Sequence, residues 1–208
     1  MRQVAAAVSA ARDDQCTVLL VEGEAGIGKS RLLSEAAQQY VVPGDIVLHG
    51  QAVELSGGDI PYGVVADMLR GLRRLQLGVG RTLEPAVRTS LEDLLTTLTG
   101  GETPQLDRGL LLDSFVTLVE TLGRGRLVWW VVEDLHWSDT SSRDVLSYLI
   151  RAVGPAQLLV TMTVRTGEPW PDDLQEFVAE TIWAFFSMLN DNQTTYSISI
   201  NGKMGWDQ

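Results

Sequence analysis

The chain alternates short apolar runs with longer segments in which apolar residues recur every three or four positions. The short runs are 17–21 (TVLLV), 45–50 (DIVLHG), 127–132 (LVWWVV) and 158–164 (LLVTMTV). Most are continuous and rich in branched or bulky side chains, which predicts strands buried on both faces of a parallel sheet. Helical spacing appears over 2–12, 29–40, 62–76, 84–98, 107–122 and 140–153. In the fifth of these, Leu110, Leu111, Phe115, Leu118 and Val119 recur at that spacing. Pro43-Gly44 breaks the second helix, and Ser56-Gly57-Gly58 marks a loop over 52–60. Asp139 stands where an N-cap would open the last helix. Strands alternating with helices predict an α/β fold with a mostly parallel sheet. No internal repeat is visible.

The turn after the first strand carries candidate chemistry. GEAGIGKS, from Gly23 to Ser30, fits G-x-x-x-x-G-K-[ST] at every fixed position. A buried strand leads in and a helix leads out, as the motif requires. Gly23, Gly26 and Gly28 permit backbone angles closed to other residues, so successive N–H groups can point inward and cradle phosphate oxygens. The helix N-terminus beside them favours negative charge. Lys29 would reach the β- and γ-phosphates, and the Ser30 hydroxyl would bind Mg²⁺. The candidate ATP-binding residues are therefore Gly23, Glu24, Ala25, Gly26, Ile27, Gly28, Lys29, Ser30 and Arg31.

A second constellation closes the third apolar run. Val128 to Val132 lead directly into Glu133 and Asp134. Two carboxylates at the C-terminal end of a buried strand lie where open α/β sheets bind ligands. One would hold Mg²⁺, and the other would orient or deprotonate an attacking water. By register Glu133 is the Mg²⁺-side acid and Asp134 the candidate base, though the residue types alone allow the two to be exchanged. Ser30, Glu133 and Asp134 are the candidate metal ligands. His136 reads either as a contact to phosphate or a partner, or as a histidine hydrogen-bonded within its loop. Trp137 reads as a packing anchor rather than a base-stacking platform. Arg165, just past the fourth strand, can sense a γ-phosphate by a charge-assisted bond. With Glu133 and Asp134 it completes the candidate catalytic set.

Composition narrows the partners. The 208 residues carry a net charge of −11, which argues against this segment gripping nucleic acid. No apolar run reaches the roughly 18–20 residues that span a bilayer. The N-terminus reads as an amphipathic helix rather than a leader, so a cytoplasmic location is expected. Cys16 alone cannot form an internal disulfide.

The motifs GEAGIGKSRLL, VVEDLHWSDTSS and TVRTGEP, spread over about residues 1–180, closely resemble the ATPase module of STAND-class signalling proteins. More narrowly, they resemble the N-terminal part of large ATP-binding LuxR-type transcription regulators; the same module occurs fused to bacterial nucleotide cyclases. The resemblance implies a three-layer P-loop NTPase over 1–180 with a helical insertion at about 61–123. It implies a slowly hydrolysing, ATP-dependent switch acting on downstream domains of a longer chain or on protein partners. The phosphate loop, the acidic pair and Arg165 take the corresponding family roles. The chain opens inside the family's usual Gly-Arg-x-x-Glu segment and ends before its lid and winged-helix regions, so a fragment is expected. Its acid pair is Glu-Asp where Asp-Asp is common.

Other readings are weaker. A small-molecule kinase should show an acceptor site and an arginine-bearing lid. A GTPase needs an Asn/Thr-Lys-x-Asp reader, yet the first 180 residues contain no Asn and no lysine besides Lys29. A degenerate module without nucleotide conflicts with the intact GKS.

Composition breaks near residue 180. Asn190, Asn192, Asn201 and Lys203 all follow it. Residues 181–208 therefore read as an atypical tail foreign to the ATPase fold, from a frameshift, fusion or assembly error, which would leave a four-stranded sheet. The alternative is a native fifth strand, with 196–200 pairing in parallel with 17–21.

Overall fold

Residues 1–54, 60–75, 83–98, 107–167, 170, 172–183 and 193–200 are described by the computed structural model, with 182–183 and 193–200 as backbone alone. The chain begins with α1 (Arg2–Arg12), β1 (Cys16–Gly23), α2 (Lys29–Tyr40) and β2 (Ile46–Gln51). Three helices follow before the next strand: α3 (Gly63–Arg74), α4 (Pro85–Leu98) and α5 (Arg108–Leu122). Then come β3 (Val128–Glu133), α6 (Thr140–Ala152), β4 (Leu158–Arg165), α7 (Asp172–Phe177) and β5 (Gln193–Ile200). The sheet order is β2-β3-β4-β1-β5, and every pairing is parallel.

The sheet divides two apolar layers because successive side chains on a strand point to opposite faces. Val18, Leu20, Trp130 and Val160 pack with α3, α4, α5 and α6. Leu19, Val21, Trp129 and Val131 pack with α1 and α2. Both faces of β1, β3 and β4 are thus covered, which explains why their burial is nearly continuous rather than alternating. β2 lies at an edge, and its burial alternates through Ile46, Leu48 and Gly50. Gly50 lets α3 approach: a Cβ there would stand 2.6 Å from the Val64 carbonyl oxygen.

Two carboxylates tie distant segments together. Asp139 caps α6 by accepting from the Ser142 N–H at 2.8 Å. It also accepts from the N–H groups of Tyr62 at 2.8 Å and Gly63 at 3.1 Å, at the start of α3. One side chain therefore serves two helix N-termini, each with orphan donors to satisfy. Asp45 pairs with Arg12 at 2.6 Å and accepts from the N–H groups of Val42 and Leu127 at 2.8 and 3.1 Å. It joins α1, the α2–β2 turn and the start of β3.

The four-stranded expectation is corrected. β5 runs parallel to β1, with Tyr196 beside Leu19 and Ile198 beside Val21 in the register. The eight residues of β5 satisfy the backbone of β1 on the side away from β4. Without them β1 would present an open edge. The Asn201-Gly202 turn expected after this strand lies outside the described residues.

Candidate phosphate and metal site

β1, β3 and β4 end side by side at one rim of the sheet. β4 sits between the other two, so its last residue, Arg165, faces the gap between the loop after β1 and the acids after β3. The loop needs left-handed backbone at two positions. Gly26 has φ +73° and Gly28 has φ +103°, values that strain any residue with a side chain. Gly28 also opens α2, with the Leu32 N–H bonded to its carbonyl at 2.9 Å.

The loop, the start of α2 and the ends of β3 and β4 enclose an open cavity of about 290 Å³. Ala25, Gly26, Gly28, Lys29, Ser30 and Arg31 line one side; Asp134, Thr163 and Arg165 line the other. The Lys29 ammonium donates to the carbonyls of Gly23 at 2.8 Å and Glu24 at 3.0 Å. These bonds fold the lysine back over the loop and use two of its three donors. Burial is the main cause holding the Lys29 pKa below the ordinary lysine value; Asp134 opposes it, Arg165 adds to it and Glu133 opposes it. A phosphate beside this ammonium would favour its charged form.

The Ser30 hydroxyl donates to Glu133 Oε2. Glu133 therefore lies against the start of α2, and His49 Nδ1 stands 4.0 Å from its other oxygen. Asp134 points elsewhere. Its backbone is left-handed, with φ +55°, and its N–H bonds to Thr163 Oγ1 at 3.0 Å. Its carboxylate lies 3.7 Å from Arg165 Nε. The two adjacent acids thus reach different neighbours. Among the described residues no three His, Cys, Asp or Glu side chains form a metal cage. A hydroxyl and two carboxylates beside a phosphate cradle fit Mg²⁺, which keeps waters and takes substrate phosphates as ligands.

A family model described as an AAA ATPase domain matches residues 1–161. The chain belongs to that family. A curated relative, an uncharacterized protein of Rhizobium meliloti, is 28% identical over an alignment of 172 positions that takes in 73% of this chain and 16% of the relative. The chain therefore spans about a sixth of that relative's length. Among solved structures, a chain from Drosophila ORC bound to DNA is similar at 13% identity and TM-score 0.47, over 96% of this chain and 89% of that one. A DNA polymerase III gamma subunit-related protein from Thermotoga maritima is similar at 10% identity and TM-score 0.42, over 97% and 46% of the two chains.

Within this AAA ATPase domain the residues read from sequence converge unevenly. Lys29, Ser30, Asp134 and Arg165 share the cavity, with Ala25, Gly26, Gly28 and Arg31 in its wall. Gly23 and Glu24 contribute carbonyls behind Lys29. Ile27 packs against the core on the α1–α2 side. The Arg31 guanidinium pairs with Glu35 at 2.7 Å, one turn along α2. The His136 ring lies against Trp137, tilted by 45° with the ring centroids 4.6 Å apart. Two contributors were not singled out from sequence: Thr163, which anchors the Asp134 backbone, and Trp137 as the ring beneath Arg165. Position 163 carried a readable signal, since Thr161 and Thr163 are hydroxyls within an otherwise apolar run that ends at Arg165.

No helix among the described residues is long and apolar enough to cross a membrane.

Proposed function

We propose that this AAA ATPase domain binds ATP with Mg²⁺ and serves as a slowly hydrolysing regulatory switch within a larger bacterial signalling or transcription regulator. One observation carries the reading: Lys29, Ser30, Asp134 and Arg165 face a single cavity at the head of the sheet, with Glu133 bonded to Ser30 behind it. In this reading the loop N–H groups and Lys29 hold the β- and γ-phosphates. Ser30 and Glu133 hold the metal, which would offset phosphate charge. Asp134 orients or deprotonates the attacking water, and Arg165 faces the γ-phosphate. Glu133 rather than Asp134 takes the metal side because only Glu133 touches Ser30.

The regulatory part of the reading rests on the resemblance to STAND-class and LuxR-type proteins and on the small share of its relative that the chain spans. Downstream domains or protein partners would read the nucleotide state. With a net charge of −11, this segment is expected to leave DNA contact to other regions and to work in the cytoplasm. A module of a nucleotide-cyclase fusion would share the same site and differ only in its partners. Calorimetric titration with ATP, ADP and GTP, with and without Mg²⁺, tests the proposal. Mg²⁺-dependent ATP binding that exceeds GTP binding is expected. Binding of none of them would sink the proposal, and transfer of phosphate to a small-molecule acceptor would favour a kinase.

A further inference from the structure

Arg165 is held from two sides. Its Cζ lies 4.1 Å from the centroid of the Trp137 ring, and its Nε lies 3.7 Å from the Asp134 carboxylate. In that pose it still lines the phosphate cavity with Lys29 and Ser30. Trp137 itself does not line that cavity. It borders a neighbouring one of about 220 Å³ beside the start of α3. The ring thus stands between the two spaces, with the arginine stacked on it.

We propose that Trp137 is a positioning residue for Arg165, holding its guanidinium at the mouth of the phosphate cavity; the proposal rests on reading that cavity as an ATP site. Both ends of the contact are anchored. Trp137 closes a short 3-10 turn, Leu135–Trp137, whose last N–H bonds to the Asp134 carbonyl at 2.9 Å. The next residue, Ser138, donates its hydroxyl to the Leu135 carbonyl at 2.7 Å and receives the Arg143 guanidinium on its own carbonyl. On the other side, the Arg165 backbone is registered against Gly23, and its carbonyl accepts the Trp170 indole N–H at 2.7 Å. What remains adjustable is the arginine side chain.

The physical consequence concerns entropy and charge together. A long side chain loses rotamer freedom when it engages a phosphate, and holding it beforehand reduces that cost. A carboxylate alone would restrain the guanidinium but also compete for its donors. An aromatic face restrains it through the plane and leaves the edge donors directed outward. Trp137 therefore keeps Arg165 in place without occupying the N–H groups that would meet a γ-phosphate.

The test is the ratio of ATP to ADP affinity, measured with Mg²⁺ in the full chain. Wild type, Trp137→Leu, Trp137→Phe, Arg165→Ala and the double variant Trp137→Leu/Arg165→Ala are compared. Trp137→Leu is expected to lower the preference for ATP by about two- to fivefold, the size of a part-exposed cation–π contact. Its ADP affinity should stay at the wild-type level, which also reports that it has folded. Trp137→Phe should fall between the two. Adding Trp137→Leu to Arg165→Ala should change the ratio no further. Should Trp137→Leu fail to fold, Trp137→Phe with and without Arg165→Ala decides the matter in the same way. A wild-type ratio in Trp137→Leu or in Arg165→Ala, or a full further loss in the double variant, overturns the proposal. A wild-type protein that binds neither nucleotide overturns the ATP reading, and this proposal with it.

Discussion

The Ser30 hydroxyl donates to the Glu133 carboxylate, joining the start of α2 to the end of β3. The contact separates two adjacent acids that residue type alone leaves interchangeable. Glu133 lies with the hydroxyl that a P-loop offers to metal, while Asp134 turns toward Arg165. Ser30→Ala and Glu133→Gln are each expected to weaken Mg²⁺-dependent ATP binding roughly tenfold, as loss of a bond to a charged group does. The double variant should lose less than the product of the two, because residues in contact are coupled. Fully multiplicative losses by calorimetry would separate their roles.

Lys29→Ala should weaken ATP binding by roughly tenfold to a hundredfold, the value of a charge-assisted contact. The Gly23 carbonyl that the ammonium now satisfies also accepts from the Thr166 N–H at 3.2 Å, and Glu24 is exposed to water, so neither carbonyl is stranded when the ammonium goes. The fold should survive, with a circular-dichroism melt close to wild type. An unchanged Kd for ATP would remove the lysine from the phosphate site.

Asp134→Asn is expected to abolish ATP hydrolysis while retaining binding. The amide keeps the side-chain shape but cannot accept a proton, and the Asp134 N–H bond to Thr163 is a backbone contact that the substitution leaves in place. Wild-type turnover itself should lie below a few per second, under the usual enzyme median of about 10 per second. A single-turnover assay with labelled ATP reads both quantities. Undiminished hydrolysis in Asp134→Asn and in Glu133→Gln alike would exclude the acidic pair from the chemistry.

Much of this site was legible because the phosphate loop is local. Gly26, Gly28, Lys29 and Ser30 lie within one turn and one helix start, so spacing alone fixes their geometry. The acids were legible as the end of an apolar strand. The Trp137–Arg165 contact was not, because it requires knowing that β3 and β4 are neighbours. Asp139 shows the same divide. Its cap on α6 is visible from Ser142 three residues later, but its bonds to Tyr62 and Gly63 cross the fold. β5 misled for a different reason. Its alternation at Tyr196, Ile198 and Ile200 signalled a strand, yet its Asn-containing surroundings differ from everything before residue 180. Composition reports solvent exposure and chain history, whereas pairing depends on backbone groups that every residue supplies.

Asp45 gives a pH signature for stability. Burial of its carboxylate acts to raise the pKa, but this is outweighed by the Arg12 hydrogen bond, the N–H groups of Val42 and Leu127 and the Arg12 charge, so the value falls below the ordinary 3.8. A depressed carboxylate pKa stabilises the fold above the unfolded value, and that contribution is lost as pH falls through the folded value. Asp45→Asn should therefore cost about 1.5–3 kcal/mol near pH 7. The difference in Tm from wild type should shrink once the pH drops below 3.8. A gap that is constant from pH 7 to pH 3 would mean that the ion pair contributes nothing through its charge.

The last prediction concerns β5. The strand pairs with β1 along its whole length, from Cys16 beside Gln193 to Gly23 beside Ile200. α1 packs across β1, β4 and β5 together. Removing residues 184–208 would leave the N–H and C=O groups of β1 unpaired on that side and open a parallel edge. Each ladder bond contributes about 0.5–1.5 kcal/mol net, and a domain of this size loses about 2–4 °C of Tm per kcal/mol. The shortened chain is expected to melt at least about 5 °C lower and to aggregate more readily. A tail foreign to the fold would behave oppositely, since its loss would leave both Tm and solubility unchanged. Differential scanning calorimetry of the two chains decides between them, and because the phosphate loop follows directly from β1, titration with ATP gives a second readout: affinity should fall with the same truncation only if β5 supports that strand.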